Sequence, residues 1–79
     1  MNSNQYISMD PTILRGKPCI AGTRISVEMI IEMLALGDSV NDILDAYSHL
    51  QLTREQVLAA IMFAYDRIHN EYSQERAAS

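Results

Sequence analysis

Hydrophobic residues recur with helical spacing through most of the chain after residue 25, and this pattern predicts three helices. Helix one is expected over Val27–Leu36, because Ser26 is a good N-cap and Gly37 can end the helix in a left-handed conformation. Helix two is expected to begin after Ser39 and to end near residue 48. Helix three is expected over Arg54 to roughly Tyr72, because Thr53 and Gln56 have the spacing of a capping box at its start.

The first 25 residues show a different pattern, in which short apolar pairs alternate with turn residues. Residues 5–9 have strand character, and glycines follow two further short extended pieces. We therefore expect an extended arm and Gly/Pro loop over residues 1–25, a three-helix domain over 26–72 and a frayed tail over 73–79. The predicted fold class is mainly α, a helix-turn-helix bundle of three helices with a short extended or β N-terminal arm.

Helix one is apolar around most of its circumference, which predicts a homodimer. One apolar stripe can pack on the other two helices, but the second, formed by Met29, Met33 and Leu36, needs another cover. The arm, with Tyr6 and Ile7, carries strand edges that can pair with a second copy. We therefore place the dimer interface at these five residues. The alternative is a monomer in which the arm folds over helix one.

The size and charge of the chain narrow the classes of function. A domain of 79 residues has a marginal core, and its single cysteine excludes an intrachain disulfide. We expect a cytoplasmic protein without a membrane-spanning segment, a metal or a cofactor. The net charge of −4 is uneven: residues 1–25 carry three cations and one acid, whereas residues 26–79 carry three cations and nine acids. An anionic partner is therefore expected at the front of the chain.

Residues 16–25, which read GKPCIAGTRI, concentrate the special residues of the chain. Arg15 and Lys17 allow two interpretations: they are solvated surface cations, or they contact an anion such as a phosphate. The glycines and the proline turn the corner into helix one, and the second arginine is expected to donate a fixed structural bond. The positions interpreted as structural are Gly16, Pro18, Gly22 and Arg24.

No constellation of residues points to catalysis. His49 lies in a predicted loop and His69 lies late in helix three, while Cys19 is interpreted as a small buried hydrophobe. The loop also lacks the strand-to-helix context of a phosphate-binding motif. We therefore expect no enzymatic activity. An enzyme that holds an anionic substrate in the loop ranks behind a binding module and an adaptor domain.

Several of these motifs together resemble a small prokaryotic family, number four-hundred-thirty-three in the domain-of-unknown-function series. Arg15 stands where that family frequently has a glycine, and Ser48 where it usually has a proline. The resemblance covers roughly residues 5–68 and implies a homeodomain-like three-helix fold that is often dimeric. The matching features here are Ile7, Asp10-Pro11, the GKPCIAGTRI loop, Gly37-Asp38-Ser39, Tyr47, His49-Leu50, Ala59-Ala60 and Tyr65.

Many members of that family look like antitoxins of the virulence-associated BC type, and the resemblance implies this function here. Such a chain neutralises a partner nuclease toxin with a PIN-like fold and binds its own operator DNA. The alternative is a structural or adaptor domain that binds another protein and has no DNA role. The expected DNA contacts are Arg15, Lys17, Arg54 and Gln56, and the expected toxin contacts are Asp66, Glu71 and Glu75.

Overall fold

The computed structural model describes the backbone of residues 4–78 and the side chains of residues 5–70. Three helices make up most of the chain: α1 (Val27–Ala35), α2 (Val40–Ala46) and α3 (Arg54–Ala78). Two short strands precede them, β1 (Ile7–Ser8) and β2 (Cys19–Ile20). This architecture confirms the predicted mainly helical bundle of three helices with a small β arm.

The first two helices begin where the sequence predicts, because side-chain caps fix their first turns. The Ser26 hydroxyl accepts a hydrogen bond from the Met29 backbone N–H at 3.0 Å. At α2 the Asp42 backbone N–H donates to the Ser39 hydroxyl at 3.1 Å, and the Ser39 backbone N–H donates to the Asp42 carboxylate at 2.8 Å. This reciprocal capping box satisfies two backbone donors that the helix itself leaves unpaired.

Helix α3 is longer than the sequence pattern predicts, since it continues past Tyr72 to Ala78. Residues 73–78 read SQERAA, and glutamine, glutamate, arginine and alanine are all good helix formers. Loss of apolar periodicity therefore does not end this helix. Its 25 residues span about 37 Å at about 1.5 Å per residue. The chain is correspondingly elongated, with principal extents of 47 × 30 × 22 Å.

The N-terminal arm pairs within its own chain, which differs from the role assigned to it in the dimer prediction. Strands β1 and β2 are antiparallel, with Ile7 opposite Ile20, and Ser8 opposite Cys19. The Ala21 backbone N–H also donates to the Tyr6 carbonyl at 2.8 Å. Ile7 packs against the hydrophobic core of its own chain. Ile7 therefore contributes to the fold of its own chain, and its contact with a second copy stays a prediction.

The core lies where α3 crosses α1, α2 and the two strands. Small and β-branched residues fill it, and Met33 packs against its edge. Within the described residues, no helix is both long enough and apolar enough to span a membrane. The fully buried members of the core cluster are Ile20, Ile25, Val27, Ile30, Ile43, Val57 and Ala60.

Candidate interaction surfaces

A left-handed turn carries the first cation of the loop. Leu14, Arg15 and Gly16 have φ values of 48°, 59° and 83°. The Gly16 backbone N–H donates to the Ile13 carbonyl at 3.0 Å, which closes the turn. Left-handed backbone is unfavourable for residues other than glycine, so Leu14 and Arg15 are strained there. The turn leaves the Arg15 side chain exposed to solvent.

Lys17 follows this turn and forms a surface ion pair. Its ammonium lies 2.9 Å from the Glu28 carboxylate, and the two side chains are 59% and 75% exposed. An ion pair in water at this exposure contributes little to stability, because solvent screens it and its side chains lose entropy. Lys17 therefore remains available to an external anion, although Glu28 partly offsets its charge.

The loop is held by Thr23 and by backbone bonds, not by the arginine that the sequence suggested. The Thr23 hydroxyl donates to the Ile20 carbonyl at 2.8 Å and accepts from the Ile25 backbone N–H at 3.0 Å. Pro18 ties the loop to α1, because its carbonyl accepts from the Val27 backbone N–H at 2.8 Å.

Arg24 has no structural bond of the kind predicted from the sequence. Its side chain is exposed and makes no hydrogen bond or ion pair to any side chain described in residues 5–70. Gly22 precedes it at a φ of 80°, so the turn itself requires a left-handed residue at that position. The sequence analysis did not identify Thr23 as a structural residue. Its position between Gly22 and Arg24 favours a turn in which the threonine hydroxyl bonds to nearby backbone groups.

Cys19 is a structural residue in the strand β2. It is 1% exposed, and its thiol donates to the Lys17 carbonyl at 3.2 Å. Burial raises the pKa of the Cys19 thiol above its ordinary value, which disfavours the reactive thiolate. Among the residues that the structure describes, no three potential metal-ligating side chains lie together.

The start of α3 uses its polar side chains for the fold. The Gln56 carboxamide oxygen accepts from the Thr53 backbone N–H at 2.7 Å, so this group caps the helix. The Arg54 guanidinium donates to the Asn41 carboxamide oxygen on α2 at 3.2 Å. Gln56 is therefore a poor candidate for base contact. Arg54 is exposed and has further N–H donors beyond the one bonded to Asn41.

Two surface hollows share Met29 as a lining residue, and the cations of residues 1–25 are distributed between them. One, of about 410 Å³, is lined by Leu14, Arg15 and Lys17 together with the α1 start. The other, of about 570 Å³, is lined by Arg24 on one side and by residues around Tyr47 on the other. Arg54 lines neither hollow. The structure thus brings Arg15 and Lys17 together and leaves Arg54 outside their group.

A groove of about 510 Å³ runs between α1 and α3. The Arg67 guanidinium lies over the Phe63 ring, 5.4 Å from its centroid, and borders this groove. Such a cation–π contact holds a long, flexible side chain in one place. The apolar lining residues are Pro18, Val27, Ile31, Phe63 and Ala64, and the charged ones are Lys17, Glu28, Glu32 and Arg67.

Large apolar side chains are exposed on α3, a surface that sequence reasoning missed. By contrast, the predicted α1 stripe is only partly free: Leu36 is 79% exposed and Met29 37%, while Met33 packs against the core. The signal for α3 was its uninterrupted apolar run over residues 57–65, VLAAIMFAY. The exposed members on this helix are Leu58, Met62, Tyr65 and Ile68.

The predicted toxin contacts fall at and beyond the end of the described side chains. Asp66 is half-buried on α3. Glu71 and Glu75 lie on the same helix, outside the residues whose side chains are described. Close to Asp66, the rings of Tyr65 and His69 stack with centroids 5.6 Å apart.

Comparison with protein families places this architecture among known sequences. Residues 7–64 match the family described as Protein of unknown function (DUF433). The chain belongs to this family. The DUF433 match begins at β1 and ends at Ala64, so it includes the sheet, the loop, α1, α2 and the first part of α3, whereas Arg67 on the groove lies beyond it. Comparison with curated proteins and with solved structures found no match.

Proposed function

We propose that this DUF433 chain is a non-catalytic binding module of the antitoxin kind, which neutralises a partner nuclease toxin with a PIN-like fold. The observation that carries the proposal is the apolar groove between α1 and α3. Grooves of this kind receive the apolar face of an amphipathic helix. Asp66 lies on the same helix beside the groove residue Arg67, and Glu71 and Glu75 follow it along the chain, so these acidic residues can meet a basic rim on the partner.

The charges beside the groove give it a polarity that a partner can match. Glu28 and Glu32 are four residues apart on α1, so they lie on one face of that helix, whereas Arg67 borders the groove from α3. A partner helix that carries basic residues on one flank and acidic residues on the other fits this arrangement. Charges at the rim of an interface contribute chiefly to association rate and partner choice.

The test is co-expression with the product of the neighbouring gene, followed by a pull-down and a nuclease assay. We expect a complex that suppresses nuclease activity. Glu32→Arg should weaken it roughly tenfold, because the reversed charge repels a basic flank. Asp45→Arg makes the same change at an exposed position of α2 and should leave the complex intact. Equal affinities for the two variants would exclude the groove, and no complex at all would refute the antitoxin role.

A second proposed activity is operator binding through the basic front of the molecule. Arg15, Lys17 and Arg24 are all exposed, and the described contacts leave Arg24 without a partner. A dimer presents these cations at two places, where local contacts with phosphates can support binding at low salt despite the net charge of −4 per chain. Phosphate contacts of this kind position a protein on DNA, and they carry little sequence information.

DNA binding is tested by titrating a fragment from the gene's own upstream region at two salt concentrations. We expect affinity to fall steeply with salt, and Lys17→Ala to weaken all sequences alike. Arg54→Ala should relax sequence preference if α3 enters the major groove. Arg67→Ala is the control, because that cation lies over Phe63 on the groove side. Absence of binding by the free chain and by its complex would favour an adaptor domain without a DNA role.

A further inference from the structure

One segment of α3, residues 57–65, is apolar on every side of the helix. Residues 57–65 form an uninterrupted apolar run of helix, so the side chains point all around the axis. Val57 and Ala60 face the core and are fully buried, whereas Tyr65 is 57% exposed on another side of the helix. A helix that is hydrophobic all round is normally covered all round. The residues that the structure describes cover one side of this segment only.

The uncovered side has the spacing of a helix–helix seam. Leu58, Met62 and Tyr65 are spaced by four and then three residues, and they are 41%, 36% and 57% exposed. These three residues, here called the α3 stripe, are flanked by Ile68, which is 67% exposed. The 4–3 spacing places side chains along one line of a helix that faces another helix. Contiguous apolar patches of this kind on small proteins mark interaction sites.

We infer that a second copy of this chain covers the α3 stripe, through an antiparallel contact between the two α3 helices about a two-fold axis near Met62. Small chains with marginal cores gain stability by self-association, and two-fold contacts use the same surface on both copies. The contact concerns only the homodimer within the proposed function and is independent of any nuclease.

The polar residues at the ends of the stripe select the antiparallel orientation. Glu55 precedes the stripe and His69 follows it on the same side of α3. With the axis near Met62, Glu55 of each copy lies beside His69 of the other. A parallel contact would place Glu55 beside Glu55 and Asp66 beside Asp66, where like charges repel. Antiparallel helices also bring opposite ends of their macrodipoles together.

This interface replaces the one predicted from the sequence. Ile7 and Met33 are partly buried and pack against the core of their own chain, so both contribute to the fold of one chain. Leu36 remains highly exposed, but it lies just beyond the end of α1. Leu36 is consequently a matched control for the α3 stripe, as a large apolar residue at a different exposed position.

The first experiment measures the mass of the chain by analytical ultracentrifugation at tens of micromolar. We expect the wild type to be a dimer, Met62→Glu a monomer with unchanged helical circular dichroism, and Leu36→Glu a dimer. If Met62→Glu loses helical signal, Tyr65→Lys at a more exposed position provides the same measurement. The inference would be overturned by a monomeric wild type, by Met62→Glu and Tyr65→Lys variants that both remain dimers, or by a monomeric Leu36→Glu variant.

Cysteine cross-linking tests the orientation in a Cys19→Ala background. Under mild oxidation, Met62→Cys is expected to form a covalent dimer, because the two-fold axis brings both copies of this position together. Leu58→Cys should not, since an antiparallel contact separates its two copies by eight helical positions, about 12 Å. Leu36→Cys should also stay monomeric on a denaturing gel. Efficient cross-linking at both 58 and 62 would show a parallel contact and overturn the proposed arrangement.

Discussion

Replacing Arg15 by glycine is expected to stabilise the protein, because the backbone at this position is left-handed. Arg15 has φ 59° and ψ 32°, inside the left-handed region. That conformation costs a residue with a β-carbon about 1–2 kcal/mol, whereas glycine adopts it freely. Glycine also gives the unfolded chain more entropy, which costs about 0.5–1 kcal/mol. The expected net gain is about 0.5–1 kcal/mol.

Thermal and urea unfolding at fixed protein concentration measure this gain. For a chain of 79 residues the midpoint should rise by about 2–8 °C. Arg15→Ala removes the charge and keeps the β-carbon, so the difference between the glycine and alanine variants isolates the backbone. Lys17→Gly is the second control: Lys17 has φ −60° and ψ 143°, so glycine relieves nothing there and should destabilise. An Arg15→Gly variant no more stable than Arg15→Ala would refute the assignment of strain to this turn.

Three further outcomes are expected. Ser26→Ala should cost about 1 kcal/mol in urea unfolding, because the buried hydroxyl caps α1, whereas Ser48→Ala on the surface should cost little. The Ser39 backbone bond lowers the pKa of Asp42 below its ordinary value of 3.8. The ionised Asp42 carboxylate therefore stabilises the fold fully above pH 3.8, and this stabilisation is lost as the pH falls through the lower pKa of the folded state. Asp42→Asn should consequently show a shallower acid dependence of the free energy of unfolding. Deleting residues 71–79 should weaken the nuclease complex in a pull-down and leave the sedimenting dimer unchanged.

Local signals in the sequence predicted the helix starts well. Ser26 and Ser39 are both N-caps in the structure, and Thr53 with Gln56 caps α3. A cap is decided by residues within one turn of each other, so the sequence contains the whole determinant. The three-helix architecture follows from these starts and from Gly37, which lies between α1 and α2.

Features that depend on tertiary contacts were predicted less well. The sequence could not show that Ile7 would pair opposite Ile20 and face the core, because that choice depends on where the chain returns. The bond expected of Arg24 failed for the same reason, since Thr23 already satisfies the local backbone groups. Conversely, Gln56 was expected to contact DNA, although its spacing from Thr53 already favoured a structural use as a helix cap.

The distribution of side-chain size around α3 is consistent with the proposed contact between two copies. Alanines face the body, where Ala59 and Ala60 are fully buried, and they let the helix backbone approach α1 and the strands closely. The larger Leu58, Met62 and Tyr65 point away from the body. On α3, these two alanines therefore lie in the core, and the three larger side chains are the ones that a second copy would bury in the proposed contact. Under the proposed contact, stability should rise with protein concentration, because only folded chains associate.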